Sequence, residues 1–286
     1  MVRRGTPVKE PGKESGGGPG PARGGRSLTR RQRAKLARGA QYGALAAAAA
    51  AVGLLADWGE VKDAFFNLDV ARDQFPEVIT TALVNTVTYT ALGFAFGLAL
   101  GLLLALMKLS SVPPNRWLAT TYIEFFRGVP ALLVFIALGY GVPLAFQVNM
   151  NLYVTAMLAL GLVGGAYMAE TIRAGIQAVP KGQVEAARSL GMSQTRAMVS
   201  IVIPQAFRIV LPPLTNELIL LTKDSSLVYV LGLATDEKEL TKFGRDALND
   251  NLSLTPILVA GLCYLIITIP LGHLVRRLEA KAAKAR

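Results

Sequence analysis

Long apolar runs alternate with short polar stretches along most of this chain. The runs at 39–56, 78–107, 121–146, 152–172 and 254–271 carry few or no charges, and each is about long enough to cross a bilayer as a helix. A further run begins at Phe207 and is punctuated by Pro212-Pro213, Asn216-Glu217 and Lys223-Asp224. The pattern predicts an all-α, polytopic membrane protein with about six transmembrane helices.

Local features refine these elements. The 78–107 run exceeds what a bilayer needs, so it tilts or begins outside the membrane. Gly93, Gly97 and Gly101 recur every four residues and form a face for close helix packing, either within the subunit or between two subunits. Glu124 and Arg127, at the start of the third span, stand three apart and are expected to pair on one helix face, with substrate contact as the alternative. Pro212 and Pro213 are expected to interrupt the fifth span, which membranes tolerate where a broken helix lines a cavity. Residues 235–253 are polar and of mixed charge, as in an external loop.

Between the fourth and fifth spans lies a polar, basic stretch, residues 180–204. Pro180 and Gly182 open it, Gln183 to Leu190 reads as a short helix, and Gly191 supplies a left-handed stop. Ser193 is placed to cap a second helix, and Pro204 is expected to break or kink the chain before the next span. Helices of about two turns are unstable alone, so the hairpin must dock. Val184, Ala187 and Leu190 form one apolar stripe; Met198, Ile201 and Val202 form another. The result is a short helical peg suited to a groove in another subunit.

The same hairpin carries a family resemblance. Glu185-Ala186-Ala187, Gly191, Ile201 and Pro204 resemble the EAA loop of permease subunits of ABC importers. The family pattern is E-A-A, three residues, G, nine residues, I, one residue, L-P; only Ile203 departs, standing where leucine is usual. The string Glu124 to Pro130 (E-F-F-R-G-V-P) and the string Lys223 to Leu227 (K-D-S-S-L) resemble the branch carrying polar amino acids, with Ser225 where threonine is usual. The resemblance covers residues 78–276 and implies an ABC type I importer permease core of five transmembrane helices. It implies that the hairpin is the coupling helix, seated on an ATPase subunit. Outside the core, 1–38 reads as a disordered basic cytoplasmic tail, 39–56 as an extra transmembrane helix, 57–77 as an external segment and 277–286 as a basic cytoplasmic tail.

Charge is consistent with that topology. The chain holds 30 Lys and Arg against 19 Asp and Glu, a formal net charge of +11. The basic segments 1–38, 108–127, 173–208 and 273–286 fall on one face if both termini lie inside, and the acidic segment after the first helix falls on the other. The resemblance implies a multi-pass protein in the plasma membrane of a prokaryote, with both termini cytoplasmic. The basic residues flank apolar runs instead of forming one stripe, which disfavours a nucleic-acid partner. The single cysteine, Cys263, and single histidine, His273, leave no disulfide framework and no metal cluster.

The candidate substrate pathway comprises Glu170, Asn216, Glu217, Lys223, Asp224 and Ser225, polar groups within or beside apolar spans. A carboxylate at the bilayer centre costs about 2.5–3.5 kcal/mol, so Glu170 needs a partner or a watery cavity. Two readings fit it: a place beside the substrate path or inner gate, and an interfacial pair with Arg173. A zwitterionic amino acid needs an acceptor for its ammonium and donors for its carboxylate, and the six residues include both; packing or gating is the alternative role for each of them.

The resemblance implies a transport subunit, not an enzyme. There is no Walker-type glycine loop, so ATP and Mg are expected in a separate ATPase and no cofactor on this chain. Expected partners are two ATPase subunits, a second permease subunit (identical or homologous), an extracellular solute-binding protein and the bilayer. The expected substrate is a polar amino acid, with glutamate or a close relative favoured. A gradient-driven secondary transporter is the alternative; its cue would be inverted repeats, which the sequence does not display.

Overall fold

A computed structural model describes residues 29–284, all helices and connecting turns. The chain divides into two units, Met1–Asp57 and Trp58–Arg286.

The described part of the first unit is one helix, α1 (Arg30–Leu55), with no buried residue. Residues 30–38, expected to be disordered, form its first turns. Thr29 starts them: its hydroxyl oxygen accepts from the Gln32 amide at 3.3 Å, and Gln32 Oε1 accepts from the Thr29 amide at 3.0 Å. This reciprocal cap satisfies two amides that a helix start otherwise leaves bare. Arg, Gln, Lys and Ala then favour helix, so it begins well upstream of the apolar run. The rest of the predicted tail, residues 1–28, lies outside the described residues.

The second unit contains α2 (Trp58–Phe65), α3 (Leu68–Asp73), α4 (Val78–Leu109), α5 (Pro113–Gly128), α6 (Ala131–Phe146), α7 (Leu152–Gln177), α8 (Lys181–Ser189), α9 (Gln194–Leu231), α10 (Leu240–Asn251) and α11 (Thr255–Lys284). Four of these, α4, α7, α9 and α11, are long and apolar enough to cross a membrane, and α5 with α6 makes a fifth if that bent pair counts as one span. Leu102, Leu103 and Leu106 on α4 and Leu262, Leu265 and Ile266 on α11 are exposed, as lipid contact requires.

The most extensive pairing joins α4 to α7. The glycine face on α4 meets a second one on α7. A Cβ at Gly97 would lie 3.2 Å from the Gly161 carbonyl oxygen, and one at Gly161 would lie 3.1 Å from the Gly97 amide nitrogen. Of the two roles open to Gly93, Gly97 and Gly101, the structure shows packing within the subunit. Missing side chains let two backbones touch, which compensates for the weak hydrophobic drive between helices in lipid.

Two predicted spans differ in shape. The third is not one helix: α5 and α6 meet at 104°, with the break at Val129-Pro130. Proline disfavours helical geometry at the residue before it, and Gly128 weakens the end of α5. The fifth span, by contrast, is unbroken. It runs from Gln194 to Leu231 through Pro204, Pro212 and Pro213, with helical geometry throughout. A π turn over Met198–Val202 widens the helix just before Pro204, making room for a ring that would clash one turn back. At Pro212-Pro213, Val210 and Leu214 lie buried in the main core with Ile172 of α7, and this packing supports the helix across two missing amide donors.

At one end of the unit, side chains of α4 clip the segment after α9. Asn85 Nδ2 donates to the carbonyls of Asp236 (2.7 Å) and Lys238 (3.1 Å), Tyr89 Oη to Glu237 O (2.9 Å), and the Leu240 amide to Thr86 Oγ1 (3.1 Å). At the same end the Leu254 amide donates to Ala64 O (2.7 Å) and the Asn67 amide to Thr255 Oγ1 (3.1 Å). Residues 235–253, expected as a loop, therefore contain α10, whose Leu240 is fully buried against the start of α11. At the far end α11 continues to Lys284, so most of the predicted 277–286 tail is helical.

Candidate functional site

Two regions hold the residues singled out above. The first is the hairpin. α8 ends at Ser189 with Leu190 as its cap, and Gly191 follows with φ +84°. Nothing lies within 4 Å of where its Cβ would sit, so glycine is required by backbone conformation and not by space. The Met192 amide donates to Ala187 O at 3.1 Å and the Gly191 amide to Arg188 O at 3.0 Å, closing the turn. Ser193 then caps α9 by accepting from the Arg196 amide at 3.3 Å.

Two of the three residues of the first predicted stripe are docked. Ala187 is buried and Val184 packs with Val179, Val202 and Ala206, whereas Leu190 is 85% exposed. Glu185, Ala186, Gly191 and Pro204 are also exposed, and Ile201 is half-buried. Pro204 lies inside α9, so the second arm of the hairpin is the first two turns of a long helix instead of a separate one. The hairpin thus anchors through Val184 and Ala187 and presents an acid, a small residue and a large apolar residue outward.

The second region is a cleft of about 470 Å³ at the bend between α5 and α6. Its walls are residues 127–131, Val163, Gly164 and Tyr167 of α7, and Glu217, Leu220, Leu221 and Asp224 of α9. Residues 163–167 are central in α7, so the cleft sits at mid-depth of the spans. Irregular backbone at that depth survives where it lines a cavity, and Gly128 to Pro130 does so here. Arg127 lies with its guanidinium 5.4 Å from the centre of the Tyr167 ring, a cation–π contact that holds it at the cleft. Glu217 and Asp224 stand seven residues apart, on one face of α9.

The cleft gathers two of the six predicted pathway residues, Glu217 and Asp224. Asn216 and Lys223 are exposed and do not line it. Ser225 is fully buried and donates its hydroxyl to Thr222 O at 2.7 Å, which serves the end of the helix. Glu170 lies toward the hairpin end of α7, bound to Lys108 of α4 and to Arg173 Nη2 at 2.7 Å. The interfacial pair is therefore present, with a second cation that the sequence reading missed. Arg127 was expected to pair with Glu124; among the described residues no ion pair joins them, and Arg127 faces the cleft instead. The Tyr167 ring of α7 is what it meets there.

Another unanticipated group is Glu239, fully buried where α10 begins. It accepts from the amides of Thr241 (2.6 Å) and Lys242 (2.7 Å) and from Tyr264 Oη (3.1 Å). Burial pushes its carboxyl up from the ordinary 4.5 to about 7, against the downward pull of those donors.

Comparisons with known proteins identify the family. Residues 97–284 match the family described as "Binding-protein-dependent transport system inner membrane component". The probable glutamine ABC transporter permease GlnM of Bacillus subtilis is 33% identical, with 77% of this chain and 97% of that protein covered. The arginine transport permease ArtQ of the same organism is 35% identical (75% and 97% covered), and the glutamate/aspartate import permease GltK of Escherichia coli O6:H1 is 36% identical (70% and 92% covered). A crystal structure of an amino acid ABC transporter with histidines superposes with a TM-score of 0.68 at 35% identity, over 75% of this chain and 97% of that one. With its membrane helices, mid-depth cleft and outward-facing hairpin, the chain belongs to this family of inner-membrane components, as a permease subunit of an amino-acid ABC importer.

Proposed function

We propose that this chain forms the translocation pathway for a polar amino acid and that the cleft at the α5–α6 bend binds it. The observation that carries this reading is the lining: Arg127, held by Tyr167, is a receptor for an α-carboxylate, and Glu217 and Asp224 are acceptors for ammonium groups. One guanidinium faces two carboxyls. That balance favours a cationic or neutral polar amino acid over glutamate, whose second carboxylate finds no second cation in the lining. The similarity to permeases for glutamine, arginine and glutamate/aspartate is compatible with each choice.

In this reading the exposed face of the hairpin, with Glu185, Ala186 and Gly191, seats on an ATPase subunit. Two such subunits supply ATP hydrolysis, a second permease subunit completes the membrane part, and an extracellular binding protein delivers substrate. Both termini lie in the cytoplasm, which puts the α4–α10 clips outside and the Lys108–Glu170 pair inside. Uptake of radiolabelled arginine, glutamine and glutamate by vesicles holding the full complex tests it. Arginine or glutamine uptake that needs ATP and falls at least tenfold in Arg127→Gln supports the reading. Glutamate uptake unaffected by excess arginine sinks the charge assignment, and ATP-independent uptake sinks the importer mechanism.

A further inference from the structure

A second cavity, of about 350 Å³, lies on the same seam as the cleft. Its walls include Gly139 of α6, Asn151 and Thr155 at the start of α7, Gly232 after α9, and Glu237. The register is regular. Along α6, Ala131 lines the cleft, Phe135 is buried and Gly139 lines the second cavity; along α7 the sequence is Val163, Ala159, Thr155; from Asp224 it runs through Val228 to Gly232. Each step is four residues; along α7, regular α-helix throughout, that is about 6 Å, so the two cavities stand about 12 Å apart along the seam. Between them Phe135, Ala159 and Val228 form a layer with 1%, 0% and 0% exposure.

We propose that this outer cavity is a second binding site for the amino-acid head group of the substrate, occupied before the cleft. The proposal rests on the importer reading, which places this end of the unit outside. Glu237 supplies the acceptor for the ammonium group: its Oε2 accepts from the Ala234 amide at 3.1 Å, while Oε1 has no protein donor among the described residues. Asn151 supplies the donor for the carboxylate. Its side-chain oxygen caps α7 by accepting from the Tyr153 amide at 2.9 Å, which leaves its NH₂ group for a ligand. Gly139 lets the walls pack together, since a side chain there would run into Leu231. An acceptor and a donor in one polar cavity match the two ends of an α-amino acid. The dry layer beneath holds the substrate until that layer parts.

Glu237→Gln separates charge from structure, because glutamine retains an oxygen to accept from Ala234. In the full complex, with a saturating amount of loaded binding protein, maximal uptake of each amino acid that wild type imports (arginine, glutamine and glutamate being assayed) should fall at least fivefold in Glu237→Gln. Glu237→Asp should restore most of it, and melting temperature should stay within a few degrees of wild type. Wild-type uptake in Glu237→Gln overturns the proposal, as does a loss that Glu237→Asp fails to rescue or that tracks a fall in melting temperature. Failure of wild type to import any of the three would instead sink the functional reading on which it rests.

Discussion

Glu170 of α7 reaches Lys108 of α4 with one carboxylate oxygen and Arg173 with the other, at 2.7 Å from Nη2 and 3.0 Å from Nε. The two helices with the most extensive packing are thus also tied by charge at the hairpin end. All three side chains are largely sheltered, with 19–26% exposure, so removing one partner leaves the others poorly compensated. Lys108→Ala and Glu170→Ala should each cost about 1–3 kcal/mol of stability in the purified complex. The double variant should cost measurably less than the sum of the two, by at least about 0.5 kcal/mol. Strict additivity in thermal or denaturant melts would show that the pair does not act as one.

Gly191 has open space around it but a left-handed backbone. Gly191→Ala should therefore cost about 1 kcal/mol locally through strain, and Gly191→Asn less, since asparagine tolerates that conformation. Co-purification of the ATPase and ATP-driven uptake should decline in the order Gly, Asn, Ala. Equal behaviour of all three would mean that the turn is not held as described.

The glycines of α4 and α7 make the opposite case, in which space is the constraint. Gly97→Ala brings a methyl group within 3.2 Å of the Gly161 carbonyl oxygen, where backbone cannot yield. A loss of about 1–3 kcal/mol is expected from such overpacking. Gly261→Ala on α11, with nothing within 4 Å, should be neutral or slightly stabilising. Comparing melting temperatures of the two variants separates packing from helix propensity.

Glu239 links stability to pH. Its folded value, about 7, lies above the ordinary 4.5, so the folded chain binds the extra proton between those values. The associated stability is fully present below about 4.5 and is lost as pH rises through 7, amounting to roughly 3 kcal/mol at most. Melting temperature should therefore be higher at pH 6 than at pH 8, and Glu239→Gln should flatten that part of the profile. A wild-type profile that is flat or rises from pH 6 to pH 8 would contradict the buried, proton-binding carboxyl.

The periodicity of apolar residues was enough to establish an all-helical membrane protein, because a bilayer demands uncharged runs of helical length and little else. The hairpin was readable for a related reason: Gly191 and Ser193 act on their immediate neighbours, and those local preferences survive in the fold. The capped start at Thr29 used the same kind of signal, hidden beneath a basic composition that suggested disorder. Depth along a helix could be counted, but direction around it could not.

Tertiary contact decided the rest. Whether Pro212 and Pro213 break α9 depends on what packs beside Val210 and Leu214, and Arg127 finds the cleft because α7 brings the Tyr167 ring beside it. Glu170 found Lys108 from a helix 62 residues earlier, a pairing no local spacing encodes. Glu239 took its raised proton affinity from burial among α4, α10 and α11, and Gly97 found its partner in Gly161 across a helix interface. Local conformational energies and membrane partitioning act residue by residue along the chain, whereas charge pairing, cavities and close packing are properties of segments brought together by the fold.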